Sequence, residues 1–222
     1  MTLFLIAALV FAALESLALK KQWFKLEVVA KPAVMIALFA GLFITTGLNG
    51  ALLWFGLGIL LSLLGDVFLM LSVDRFFLAG LVAFLLAHLA YVVGFNIPLP
   101  EFSSWGLLLA IMIGWGGVRV MRRVISALAA KGQLRLRIPI IIYTVVISLM
   151  LLSAAIKLTD LSWGAGASLL VSVGAFLFYI SDIILAWNKF VSPIQYGRIY
   201  NIGAYHLGQI ALIAGVALQF GG

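Results

Sequence analysis

Near-continuous apolar runs, separated by short polar connections, make up almost the whole chain. Eight of them, about 2–19, 32–48, 50–71, 76–96, 103–120, 138–157, 164–187 and 200–219, are long enough for a helix to cross a hydrocarbon core of roughly 30 Å. The runs are continuous rather than alternating. A backbone in lipid must also satisfy its own N–H and C=O groups, so the pattern predicts helices and not the strands of a barrel. The expected fold class is all-α, a polytopic membrane bundle of eight transmembrane helices forming one domain over residues 1–222. Short connections favour antiparallel neighbours, and Gly47-Leu-Asn-Gly50 marks a tight turn between the second and third helices.

The pattern also contains a faint repeat. "LGDVFLML" at 64–71 aligns with "ISDIILAW" at 180–187, and each precedes a helix carrying a histidine, His88 in one case and His206 in the other. Two four-helix halves in parallel orientation would account for this, with a site at their interface.

Composition adds exclusions. The chain has no cysteine, which removes disulfides, zinc thiolates and thiol nucleophiles, and its two histidines are too few for an all-histidine zinc site. No metal and no cofactor are expected. The formal net charge of +7 lies in the connections rather than on a soluble face, so the expected partners are the lipid bilayer and its headgroups, with no nucleic acid. Thirteen of the fourteen lysines and arginines fall in odd-numbered connections and only Lys157 in an even one. By the positive-inside rule the odd connections face the cytoplasm and both termini the opposite side. The first run lacks a basic flank before it and reads as a retained helix rather than a cleaved signal. The economical loops suggest a bacterial inner membrane.

Ionisable side chains inside a span are costly, about 2.5–3.5 kcal/mol each near the bilayer centre on insertion scales, and so point to a site. Glu27, Asp74, Glu101 and Asp160 fall in connections or at helix ends, where solvation explains them. Glu15, Asp66, Asp182, His88 and His206 lie within spans. Asp66 and Asp182 each stand about five residues before a cytoplasmic helix end, roughly 8 Å inside at 1.5 Å per residue. Glu15, Lys31, Tyr200, Asn201, Tyr205 and His206 sit near the same side, and His88 near mid-membrane.

This one-sided cluster argues against a continuous ion path. Two carboxyls in one low-dielectric pocket do not titrate together, so one can hold a proton while the other acts as base. His88 with Tyr91, and Tyr205 and His206 with Gln209, share helix faces and could orient water or a headgroup, or could simply bond helix to helix. Lys31-Pro32 reads as a helix start whose ammonium either snorkels or holds a phosphate, and Glu15 could pair with Lys31. The aromatic run Phe176-Leu-Phe-Tyr179 reads as packing or lipid-facing, and Gly114 and Gly116-Gly117 as sites of close helix approach.

Taken in order, "KPAVM" at 31–35, "SLLGDVFLM" at 62–70, "GLVAFLLAHLAYVVGF" at 80–95, "FYISDIILAWNKF" at 178–190 and "YHLGQIALIAG" at 205–215 resemble the YhhN-type lysoplasmalogenase family of eight-helix membrane proteins. The resemblance implies hydrolysis of the vinyl ether bond of a lysoplasmalogen, a lysophospholipid, to a fatty aldehyde and glycerophosphoethanolamine or glycerophosphocholine. The family's polar positions match Lys31, Asp66, His88, Tyr91, Ser181, Asp182, Tyr205 and Gln209 here, while His206 and Glu15 rest on depth alone. Asp66 and Asp182 are the expected acid and base, and Lys31, His88, Tyr91, Ser181, Tyr205, His206 and Gln209 the expected substrate contacts, with Lys31 and loop bases attracting phosphate. The competing readings are a hydrolase of another lipid, an intramembrane aspartyl protease, whose GxGD motif "LLGD" does not reproduce, and a proton-coupled small-molecule transporter.

Overall fold

Helix α1 (Thr2–Lys21) reverses directly into α2 (Phe24–Thr46) through Gln22, whose left-handed backbone (φ 58°) makes the turn. The chain continues through α3 (Ala51–Leu71), α4 (Phe77–Phe95), α5 (Ser104–Ala130), α6 (Arg137–Ile156), α7 (Ala165–Ala186) and α8 (Gly197–Phe220). A 3-10 turn, Leu134–Leu136, precedes α6, and a π-helical turn, Trp187–Val191, extends α7. This computed structural model describes residues 1–72, 75–101 and 103–221; Asp74, expected in a solvated loop, lies outside the described residues. All eight helices are long and apolar enough to span a bilayer.

Two helices exceed their apolar runs. α2 begins at Phe24 rather than near 32, so Lys31-Pro32 is not a helix start: Pro32 lies inside the helix and Lys31 is buried. Charges end an apolar run but need not end a helix. Glu27, expected to be solvated, is buried in the first turn of α2 and paired with Arg198 at the start of α8. α5 runs on to Ala130, past Arg119, Arg122 and Arg123. Its 27 residues make a rod of about 40 Å, longer than a hydrocarbon core, so its basic end projects beyond the lipid.

The hairpins α1–α2, α3–α4, α5–α6 and α7–α8 pack internally and are joined through α2–α3, α6–α7, α2–α8, α4–α6 and α1–α8. Advancing each helix by four places maps α2–α3 onto α6–α7 and α2–α8 onto α4–α6, the correspondence expected of two four-helix halves. The correspondence is incomplete. α1 packs on α8, whereas α5, its counterpart, packs on α6 and the π-helical turn instead of along α4.

The α7–α8 contact is the tightest. A Cβ at Gly174 would lie 2.4 Å from the Leu212 amide nitrogen and 2.7 Å from the Gly208 carbonyl oxygen, so only glycine lets these backbones meet. Gly114 and Gly116, expected at a helix contact, face open space; only Gly117 of that group is close-packed, against Tyr179 and Ser148. The outer face of α5, with Trp105, Ile111, Met112 and Trp115, is exposed and apolar, as a lipid-facing surface must be.

Candidate functional site

Asp66 lies in the last third of α3 and is buried. Lys31 Nζ of α2 stands 3.1 Å from its Oδ1, and the Tyr205 hydroxyl of α8 donates to its Oδ2 at 2.7 Å. Both oxygens are thus engaged, by a buried ammonium and a buried phenol. Gly65, beside Asp66, leaves room for the Phe84 ring, which a Cβ there would meet at 2.6 Å. Close by, Glu15 of α1 pairs with His206 Nε2 of α8, so Glu15 does not bond Lys31. Both members of this pair are buried, and Glu15 Oε1 and His206 Nδ1 have no hydrogen-bond partner among the described residues.

Asp182, near the end of α7, has different company. The Tyr143 hydroxyl of α6 donates to its Oδ2 at 2.5 Å, and His88 Nε2 of α4 lies 3.4 Å from the same oxygen and 3.1 Å from the Tyr143 oxygen. The three elements α6, α7 and α4 that build this cluster are those that build the Asp66 cluster, α2, α7's counterpart α3, and α8, advanced by four places. The Asp182 side chain keeps 15% of its surface exposed, against 3% for Asp66.

The two carboxylates share no hydrogen-bond partner among the described residues. Their clusters meet across aromatic surface, because the Phe178 ring packs on both His88 (4.6 Å between centroids) and Tyr205 (5.2 Å). Phe178 is therefore a packing residue, as its run suggested, while Phe176 faces outward.

The remaining expected residues bond helices together. The Tyr91 hydroxyl donates to Gln209 Oε1 at 2.8 Å, and Gln209 Nε2 donates to Ser62 Oγ at 3.0 Å, tying α4, α8 and α3. His88 and Tyr91, neighbours on one helix face, thus serve different networks. Ser181 donates to the Phe178 carbonyl of its own helix, and its carbonyl accepts from Asn201 Nδ2 at 2.7 Å. Ser62 and Tyr143 are additions that sequence reasoning did not supply. The only signal for Tyr143 was a phenol in an apolar run, whose buried hydroxyl needs a partner.

Asp182 and Tyr143, with Thr144 and Tyr179, are the polar residues lining an otherwise apolar cleft of about 70 Å³. Phe77, Leu81 and Phe84 of α4 face Val120, Met121 and Val124 of α5 across it. It lies where α5 stands away from α4. At the corresponding place in the other half α1 packs on α8, closing over the Glu15–His206 pair. Asp66 and Lys31 do not line the cleft.

The Lys157–Asp160 pair lies at the opposite end of the bundle, 2.9 Å apart, with the ammonium 5.6 Å from the Trp163 ring centroid. Burial works to raise the Asp160 carboxyl, but hydrogen bonds from Ser162 and Lys157 outweigh it and hold the group below the usual carboxylate range. Solvation alone therefore does not describe Asp160.

Comparison with known proteins places these residues in a family. A model described as the YhhN family matches residues 26–216. Lysoplasmalogenase TMEM86A of Bos taurus is 27% identical over 156 residues, covering 70% of this chain and 61% of that protein. Lysoplasmalogenase TMEM86B is 29% identical in Mus musculus over 74% of this chain and 64% of that protein, and 26% identical in Homo sapiens over 86% and 74%. The chain therefore spans less than two thirds of the length of the TMEM86A relative. No solved structure matches.

Proposed function

Given that the chain belongs to the YhhN family, we propose that it is a membrane-embedded hydrolase of the lysoplasmalogenase type, acting on the vinyl ether of a single-chain phospholipid. The observation that carries the proposal is the position of Asp182, a carboxyl with His88 and Tyr143 at its back, on the wall of an apolar cleft. A drug-sized or lipid-chain ligand needs this combination of apolar lining and a few convergent polar groups.

In this reading the substrate enters from the bilayer between α4 and α5, and its alkenyl chain lies along Leu81, Val120 and Val124. Loop bases on the side of the odd-numbered connections attract the phosphate. Lys31 is held by Asp66 and does not take that role.

Hydrolysis begins with proton transfer from the Asp182 carboxyl to the outer vinyl carbon, which leaves an oxocarbenium ion beside the new carboxylate. The carboxylate then takes a proton from water as the water oxygen bonds to the oxocarbenium carbon, and Asp182 is returned to its starting form. The hemiacetal collapses with transfer of its hydroxyl proton to the glyceryl oxygen, giving aldehyde and glycerophospho-alcohol. Asp66, ion-paired with Lys31, contributes the second carboxylate as a fixed charge that holds α2, α3 and α8 together behind the reacting centre.

The test uses purified protein with three substrates of matched chain length: a lysoplasmalogen, its saturated alkyl ether and an ester-linked lysophospholipid. Aldehyde should appear from the vinyl ether alone, and in D2O it should carry one deuterium on the carbon next to the carbonyl, preserved by trapping it as the alcohol. Fatty acid from the ester with no aldehyde from the vinyl ether would replace this reading with that of a different lipid hydrolase.

A further inference from the structure

Tyr143 directs its single hydroxyl hydrogen to Asp182 Oδ2. Its oxygen can therefore only accept in the contact with His88 Nε2, which makes Nε2 a protonated ring nitrogen, while Nδ1 is buried and has no partner among the described residues. The hydrogen bonds run in one direction, from His88 Nε2 to the Tyr143 oxygen and from the Tyr143 hydroxyl to Oδ2. Nothing among the described residues bonds Asp182 Oδ1, although Asp182 is partly exposed to the cleft.

We propose that Tyr143 is the positioning residue of the reacting carboxyl: with His88 it fixes Oδ2 of Asp182, so that Oδ1 is the oxygen presented to the cleft. This inference rests on the hydrolase reading given above and adds a residue to it. Three helices are needed to make the unit, His88 from α4, Tyr143 from α6 and Asp182 from α7, and the ring of Tyr143 also forms part of the cleft wall. A carboxyl free to rotate would present either oxygen at any angle. Anchoring one oxygen at 2.5 Å restricts it to the orientations from which a proton can reach a carbon lying in the cleft.

The same unit separates the two aspartates functionally. At Asp66 both oxygens are engaged, Oδ1 by Lys31 and Oδ2 by Tyr205, so no oxygen is left over for a ligand. At Asp182 a phenol again bonds Oδ2, here from α6, but no lysine occupies Oδ1. One oxygen has been left open in the half of the bundle where α5 also leaves a cleft.

The test separates the hydroxyl from the ring. Tyr143→Phe keeps the wall and removes the hydrogen bond; Tyr143→Leu removes both. The expected result for Tyr143→Phe is a fall in kcat of about 100-fold with KM within twofold of the wild-type value, a size typical of a lost proton-transfer alignment. Tyr143→Leu should raise KM as well.

A second measurement needs no turnover. In the infrared spectrum of the substrate-free protein, the carboxyl band that disappears in Asp182→Asn should shift in Tyr143→Phe. Unchanged kcat in Tyr143→Phe, or a loss confined to KM, would overturn the proposal. If the wild-type protein releases no aldehyde, the hydrolase reading fails by itself, and an unmoved Asp182 band would then overturn the positioning role separately.

Discussion

Asp66 and Asp182 occupy corresponding places in the two halves of the bundle, yet Asp66 is closed over by Lys31 and Tyr205 while Asp182 faces a cleft. The difference follows from helix packing. Where α1 lies against α8 the Glu15–His206 pair is sealed in; where α5 stands off from α4 a space remains beside Asp182. The bundle thus holds one closed polar cell and one open one, and the proposed chemistry on a lipid uses the open one.

The Lys31–Asp66 pair should behave as a structural ion pair. Removing one member of a buried pair leaves an uncompensated charge and costs about 3–5 kcal/mol. Lys31→Met is therefore expected to lower the melting temperature sharply in detergent, and Lys31→Met combined with Asp66→Leu to recover most of the loss. A double-mutant cycle on thermal unfolding measures the coupling, and additive losses would contradict the pairing.

The cleft makes a separate prediction about chain length. Val120→Trp should narrow the space between α5 and α4 without touching Asp182. Activity on a long-chain lysoplasmalogen is expected to fall by about tenfold or more, consistent with the roughly 1–3 kcal/mol that pocket-filling changes carry, while a short-chain substrate is spared. Equal loss on both chain lengths would place the hydrocarbon elsewhere.

Close packing of α7 on α8 fixes Asp182 and Tyr205 relative to one another. Gly174→Ala puts a methyl against the Gly208 and Leu212 backbone and is expected to destabilise by about 1–3 kcal/mol, whereas Gly116→Ala meets open space and should leave the melting temperature unchanged or raise it. Thermal unfolding of the two variants side by side checks the contrast.

Acid should weaken the far end of the bundle. The Asp160 carboxyl is held below its ordinary value, so its contribution to stability is present above the unfolded value of about 3.9 and is lost as pH falls through the folded one. Asp160→Asn is expected to melt lower than wild type at pH 7. That gap should close at a pH below the ordinary carboxylate range, as melting curves across pH would register.

Much of this was legible in the sequence. Hydropathy alone gave eight helices, because a lipid-spanning backbone has few other options, and the cost of a charge in a span singled out Asp66 and Asp182. Partners were not legible in the same way. His88 and Tyr91 share a helix face but bond to different helices, and Lys31 bonds Asp66 rather than Glu15 because α2 starts a full two turns before its apolar run. Tyr143 was hidden because a hydropathy scan counts tyrosine with the apolar residues, while its hydroxyl takes on meaning only when α6 is placed against α7.

The central claim is that Asp182, and not Asp66, is the carboxyl that protonates the vinyl ether. It is tested most directly by measuring aldehyde release from lysoplasmalogen by Asp182→Asn, with its melting temperature recorded in the same detergent. The account predicts a loss of at least about 1,000-fold, within the range of general acid catalysis, in a protein that melts close to wild type. Aldehyde release by a well-folded Asp182→Asn at near wild-type rate would contradict it.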